Sequence, residues 1–160
     1  MEIIKEIFEE DLGISSESTG EVLYKIRKAA RALLFDDDKI AILSAEKIHV
    51  HKLPGGGIDQ HESVLEALNR EILEEAGCAI NDVRELGMTL EYRNQFNQLQ
   101  ISYVFTGKTG EIGLPNFTEK EINEGFKLIW ISVEEAMDIM KNKDKPTTYA
   151  GKLNATPNRS

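Results

Sequence analysis

The sequence predicts one α/β domain, on three observations. Its 160 residues are about one domain's worth of chain. An apolar share of 41% against 29% charged residues can build a core and still dissolve. Segments of alternating apolar residues are interleaved with segments of helical period. The same composition excludes collagen, low-complexity disorder and a disulfide-stapled miniprotein. No apolar run approaches the roughly 20 residues of a transmembrane helix.

Along the chain, Ile3, Ile4, Ile7 and Phe8 stand at helical spacing, so residues 1–12 are expected to form a short amphipathic helix. Ser15 to Gly20 reads as a polar linker, giving an N-terminal unit over 1–20. Val22, Tyr24 and Ile26 alternate with polar neighbours, as in a strand, and Ala29 to Phe35 is a more continuous apolar run, as in a buried strand. Asp36, Asp37 and Asp38 mark a turn, and Ile40 to Ser44 the returning strand. A short strand at Ile48 to Leu53 is closed by Pro54-Gly55-Gly56-Gly57.

Ser63 to Ala76 carries the strongest helical signal, with Leu65, Leu68 and Ile72 as its apolar stripe. Ser63 and Glu66 form a capping box before it, and Gly77 stands where a glycine ends a helix. Val83 to Tyr92 and Leu99 to Thr106 read as strands joined by the polar segment Arg93 to Gln98. Phe126 to Ile131 is a further strand. Ser132 and Glu135 then announce a helix carrying Val133, Ala136, Met137 and Met140. The main domain is thus 21–144, and 145–160 is a polar tail without periodicity.

Charge narrows the function. Acidic residues outnumber basic ones 28 to 19, a formal charge of -9. Nucleic-acid and membrane-surface binding both call for basic patches, so neither is expected. An acidic protein can still act on phosphate esters through metal cations placed between its carboxylates and the substrate. Cys78 is the one cysteine, which excludes an intramolecular disulfide and a cysteine-rich zinc site. The N-terminus lacks a signal-peptide pattern, so the cytoplasm is the expected compartment.

The chemistry is concentrated in Gly56 to Cys78. At about 100° per residue, Glu71, Glu74 and Glu75 share one arc of roughly 100° on adjacent turns. Carboxylates spaced three and four apart repel one another, and at a helix C-terminus the macrodipole also disfavours them. A hard divalent cation reverses that sign, because Mg²⁺ and Mn²⁺ take oxygen-rich clusters. Arg70 lies one turn before Glu74 and one after Glu66, placed to bridge carboxylates and fix their rotamers. The glycines ahead of the helix allow backbone to approach a metal or phosphate closely.

Seven residue identities and two apolar slots are fixed over these 23 positions. At roughly 6% frequency each, chance gives on the order of one match per 10⁹ starting points. The segment matches G-x5-E-x7-R-E-U-x-E-E-x-G-U, with U apolar, and on it the chain is identified as a member of the Nudix hydrolase family (MutT-like). Leu53-Pro54-Gly55-Gly56 resembles the family's lead-in. His61 stands where the family often has glycine, and Cys78 fills an apolar slot that is more often aliphatic. The order of strands and helices is compatible with the Nudix fold, a mixed β-sheet sandwiched between α-helices.

The resemblance implies hydrolysis, by metal-activated water, of a pyrophosphate bond in a nucleoside diphosphate linked to another moiety. Nucleoside triphosphates, ADP-ribose, nucleotide sugars, dinucleoside polyphosphates and, less in keeping with the negative charge, a capped RNA end are the substrate classes it leaves open. It implies Mg²⁺ (or Mn²⁺) held by Glu71, Glu74 and Glu75, with the Gly55 carbonyl as a further ligand. Glu62 and Arg70 would orient the helix, and Gly56 and Gly57 would lie against the substrate. The general base would be a box glutamate or a downstream acid. Glu119, Glu121 and Glu124 are available, and Glu121 is favoured. Tyr92, Phe96, Tyr103 and Phe117 could stack on a base, and Arg93 could meet a phosphate, although packing or surface roles are the commoner fate of such residues. His49 and His51 alternate on one strand face with no obvious third zinc ligand. Few basic residues are expected near the box, so phosphate recognition is expected to lean on metal. A homodimer is compatible with the family. A nucleotide-sensing module of the same fold is the main alternative, but such modules usually lose box carboxylates. A prenyl diphosphate isomerase would call for a nucleophilic cysteine elsewhere than Cys78.

Overall fold

A computed structural model describes residues 1–14 and 21–143. The linker and tail expected at 15–20 and 145–160 lie outside the described residues. Eight strands are present among those described: β1 (Ile3–Ile7), β2 (Lys25–Asp36), β3 (Lys39–Ala45), β4 (Val50–Lys52), β5 (Gly55–Gly57), β6 (Cys78–Arg93), β7 (Gln98–Ile112) and β8 (Lys127–Ser132). With them stand helices α1 (Val64–Ala76), α2 (Glu119–Asn123) and α3 (Val133–Asp138), the last running into a π turn at Ile139–Lys143.

The sheet is mixed, in the order β1-β6-β7-β2-β3-β4, with β5 alongside β2 and β8 alongside β3. The pairs β1–β6 and β2–β7 are parallel and the remainder antiparallel. Alternation along β2 divides the core. Ala30, Ala32 and Leu34 pack with Ala67, Leu68, Ile72 and Ala76 of α1. Leu33 lies on the opposite face with Ile40, Ile42, Leu53, Val104, and Ala136 of α3. Fully burying a side chain such as Leu68 or Ile72 contributes about 1.5–3 kcal/mol. The α/β sandwich is therefore as expected. Among the described residues no helix is long and apolar enough to cross a membrane.

Four local expectations are corrected. Residues 3–7 form an edge strand, not a helix. Ile7 is buried there and pairs with Glu91 on β6, and three β-branched isoleucines suit the strand better than an isolated helical turn. Leu65 is 51% exposed, so the buried stripe of α1 is Ala67, Leu68, Ile72 and Ala76. The three glycines before the helix are a strand, since β5 hydrogen-bonds to β2 at Ala29–Arg31. The acidic stretch near Glu121 contains α2, capped by Thr118.

Candidate active site

Helix α1 is fixed at both ends by the residues its sequence supplies. The Ser63 hydroxyl accepts from the Glu66 N–H, and the Glu66 carboxylate accepts from the Ser63 N–H, both at 3.1 Å. Gly77 ends the helix at φ +68° and donates to the Leu73 carbonyl. Between these caps the box side chains face β5 and the loop leading into the helix.

Arg70 is the hub. Its Nε donates to Glu62 Oε2 at 2.8 Å and its Nη2 to Glu62 Oε1 at 2.9 Å. Nη1 donates to Glu71 Oε1 at 2.8 Å, and Nη2 also reaches the Gly57 carbonyl at 2.9 Å. Glu74 and Asp59 stand further off, each 3.6 Å away. The guanidinium hydrogen bond holds the Glu62 carboxyl well below the usual range, at about 2, and Glu62 in return raises Arg70. One cation thus ties the approach loop, β5 and α1 together.

The triglycine strand has no side chains, and both its faces use that. A Cβ on Gly56 would lie 2.6 Å from the Glu71 carboxylate. On the opposite face, a Cβ on Gly55 would lie 2.6 Å from Arg31 Cα, and one on Gly57 would lie 3.0 Å from Arg27 Nη2. Backbone approach at these positions is therefore built in. Gly55 is expected to offer its carbonyl; the contact seen is its N–H, which donates to Glu75 Oε2 at 2.8 Å.

Glu75 is buried, and burial pushes its carboxyl up to about 9, reinforced by a hydrogen bond with Glu121 and opposed by Lys52 and the Gly55 N–H. Burial works on Glu121 in the same direction, but its bond to Glu75 and those to the Thr118 N–H and hydroxyl leave it lowered overall. The geometry agrees, since Thr118 N and Oγ1 hold Glu121 Oε1 at 3.1 and 2.9 Å. Without a cation the proton rests on Glu75 and the charge on Glu121. The structure thus brings the favoured base to the box, while no bond of Glu119 or Glu124 to it is seen.

Glu71, Glu74 and Glu75 lie on the expected face of α1, but Glu71 turns to Arg70 and Glu75 to Gly55 and Glu121. Among the described residues no three acidic, histidine or cysteine side chains converge on a single point. The donors nevertheless suit a hard divalent ion. They are all oxygens, and the buried Glu75 carboxylate beside the half-buried Glu121 carboxylate calls for a positive charge between them.

The aromatic candidates go elsewhere. Tyr92 stacks on Phe8 with ring centroids 4.7 Å apart, and its hydroxyl donates to Glu6. Phe96 sits in a 3₁₀ turn, 52% exposed. Phe117 packs with Leu43 and Phe126, and Tyr103 lies at the edge of the α1 core. Arg93 is buried in an ion pair with Glu91 at 2.9 Å and does not present itself to a phosphate from the open surface. His49 has φ +53° at the end of a 3₁₀ turn, and His51 bonds Ser44 in the interior at 2.9 Å, so the two do not share a strand face. Cys78 is buried in the core.

The basic residues near the box had been missed. Arg27 and Arg31 are distant in sequence and Lys52 lies just ahead of the box, and β2 and β4 carry them beside Glu71, Glu75 and Glu121. Burial lowers all three. Arg31 is enclosed, with Nη1 on the Leu53 carbonyl at 3.2 Å and Nε without a partner. An arginine within the apolar run Ala29 to Phe35 was the available signal.

Fold and site together define a Nudix-type domain, and comparison with known proteins agrees. The family model for the NUDIX domain matches residues 25–151. Nudix hydrolase 18, mitochondrial, of Arabidopsis thaliana is 28% identical over 123 residues, 77% of this chain and 68% of that protein. A MutT NUDIX hydrolase from Burkholderia pseudomallei superposes with a TM-score of 0.57 at 20% identity, covering 82% of this chain and 96% of the other. A NUDIX hydrolase from Nitrosomonas europaea gives 0.59 at 18% identity, covering 84% and 88%. The chain belongs to the NUDIX family.

Proposed function

We propose that this chain, a Nudix-type pyrophosphohydrolase by family, uses Mg²⁺ or Mn²⁺ to hydrolyse a pyrophosphate bond in a small nucleotide substrate. The observation that carries the reading is the meeting of Glu75 with Glu121 beside the Gly55 N–H, in a site whose remaining carboxylates are arranged by Arg70. Glu71, Glu74, Glu75 and Glu121 are the residues that would hold the ion. Bound there, it would neutralise developing phosphoryl charge and lower the pKa of a coordinated water.

The protein's own groups supply the rest. Thr118 fixes Glu121 through its N–H and its hydroxyl, so the carboxylate meets the site in one orientation. Lys52, with its ammonium 4.5 Å from the Phe126 ring centroid, adds a cation beside Glu75 and Glu121. Gly56 and Gly57 let the Glu71 carboxylate and the Arg27 guanidinium lie close against the backbone of β5, where a side chain would displace them.

The test is release of phosphate, pyrophosphate or nucleoside monophosphate from nucleoside triphosphates, ADP-ribose, nucleotide sugars and dinucleoside polyphosphates, with and without Mg²⁺ or Mn²⁺. Metal-dependent turnover of at least one class, reduced more than about tenfold in Glu75→Gln and in Glu121→Gln, supports the proposal. Absence of turnover with nucleotide binding intact would favour the sensing module.

A further inference from the structure

We infer that Arg27 is a substrate-contacting residue and that its guanidinium takes a phosphate lying beyond the pyrophosphate bond being cleaved. The preferred substrates would then carry three or more phosphates in a row. This rests on the pyrophosphohydrolase reading and names the substrate class within it.

The placement comes from register. Strand pairing sets Arg27 opposite Gln100, and Gln100 opposite Glu91, in one row across β2, β7 and β6. Arg93 and Ser102 extend the same sheet face by two-residue steps. This face is polar and closed: Glu91, Gln100 and Ser102 have no exposed surface, and Arg93 is buried. Arg27 is the exception, a residue with exposed surface whose guanidinium lies half-buried against this platform.

Its charge is not matched by that platform. Glu91 belongs to Arg93, which donates to Oε2 through both Nε and Nη2. Arg27 Nη1 donates to the amide oxygen of Gln100, a neutral group, and Gln100 is held in turn by donating to Ser102 Oγ at 3.2 Å. Arg31 and Arg93 repel Arg27 more strongly than Glu71 and Glu91 attract it. A chain of charge -9 thus gathers three arginines on one face, and the outermost has a neutral hydrogen-bond partner. Such a locus attracts an anion even where the overall field repels one.

Position then selects the anion. A Cβ on Gly57 would lie 3.0 Å from Arg27 Nη2, and one on Gly56 would lie 2.6 Å from the Glu71 carboxylate. The cation and the box carboxylate are thus adjacent along β5, on its two faces. A polyphosphate held at the box would pass Gly57 and meet Arg27 with its next phosphate. A planar guanidinium binds phosphate oxygens in pairs, whereas a neutral sugar would leave the charge unmatched.

The test compares inorganic tripolyphosphate with pyrophosphate, each with Mg²⁺, by calorimetric titration of the full chain and of Arg27→Gln and Arg27→Lys. The expected result is that Arg27→Gln weakens tripolyphosphate at least about tenfold and pyrophosphate less than about twofold, with partial recovery in Arg27→Lys. In steady-state assays Arg27→Gln should raise KM for a nucleoside triphosphate about tenfold with kcat nearly unchanged, and leave a nucleotide sugar unaffected. Equal affinity of the wild type for the two ions, or equal losses for both in Arg27→Gln, overturns the inference. If no substrate is turned over but the Arg27-dependent preference for tripolyphosphate is found, the subsite stands and the hydrolase reading falls.

Discussion

Arg70 grips Glu62 across eight residues of sequence through two parallel contacts, Nε to Oε2 at 2.8 Å and Nη2 to Oε1 at 2.9 Å. The same guanidinium touches Glu71 and the Gly57 carbonyl, so the pair clamps the entry to α1 against the triglycine strand. Lysine keeps the charge but cannot reproduce this fork. Arg70→Lys should therefore lower kcat by more than about tenfold and reduce the thermal midpoint, read by activity assay and calorimetry. Wild-type kinetics in that variant would mean that the clamp is ornamental to the site.

Gly56→Ala separates the site from the fold. Its new methyl would collide with the Glu71 carboxylate, the far end of a flexible side chain, so the backbone need not move. The expected outcome is a loss of turnover of about tenfold or more with little change in midpoint. Denaturation curves beside kinetics would show whether the two effects divide in this way.

At Gly77 the expectation is the reverse. Its φ of +68° suits glycine, and a Cβ there would lie 2.5 Å from the Leu114 carbonyl carbon and 2.7 Å from Pro115 N. These are backbone atoms with little room to yield. Gly77→Ala should cost at least about 1–2 kcal/mol in urea denaturation, from the disfavoured conformation and the displaced segment together.

The pH dependence of the metal-free protein follows from Glu75. Its folded carboxyl titrates near 9, against 4.5 as the ordinary value. Across that window the folded chain holds a proton that the unfolded chain has released, so stability from this group falls as pH rises. Glu62 works in the opposite sense at low pH. Its contribution is present above the ordinary value and is lost as pH falls toward about 2. The thermal midpoint without divalent metal should fall between about pH 6 and 9, and Glu75→Gln, which mimics the protonated acid, should flatten that slope while removing activity. An identical slope in wild type and variant would place the buried proton elsewhere.

What the sequence disclosed, and what it hid, follows from locality. Caps, the helix between them and the box lie within 23 consecutive residues, where spacing alone determines which side chains share a face. Spacing alone points Arg70 toward Glu66 and Glu74, whereas its partnership with Glu62 is what the family resemblance implies; the bonds seen are to Glu62 and Glu71. Glu121 was legible as an acid, but its meeting with Glu75 depends on Thr118 capping α2 and on the sheet bringing that helix to the box. Arg27 and Arg31 reach the site through strand register, which the spacing of a single strand does not encode. Tyr92 misled for a related reason. Its face is opposite that of Arg93, and its partner Phe8 directly follows an N-terminal strand whose spacing reads as helical.

The central claim is that the carboxylates meeting at Gly55 hold a divalent cation. Titration of Mn²⁺ followed by electron paramagnetic resonance, in the wild type and in Glu75→Gln and Glu121→Gln, tests it most directly. The account predicts saturable binding to the wild type, weakened at least about tenfold in both variants, and tighter as pH rises because the ion displaces the Glu75 proton. Equal Mn²⁺ affinity in all three proteins, or binding that does not respond to pH, would contradict it.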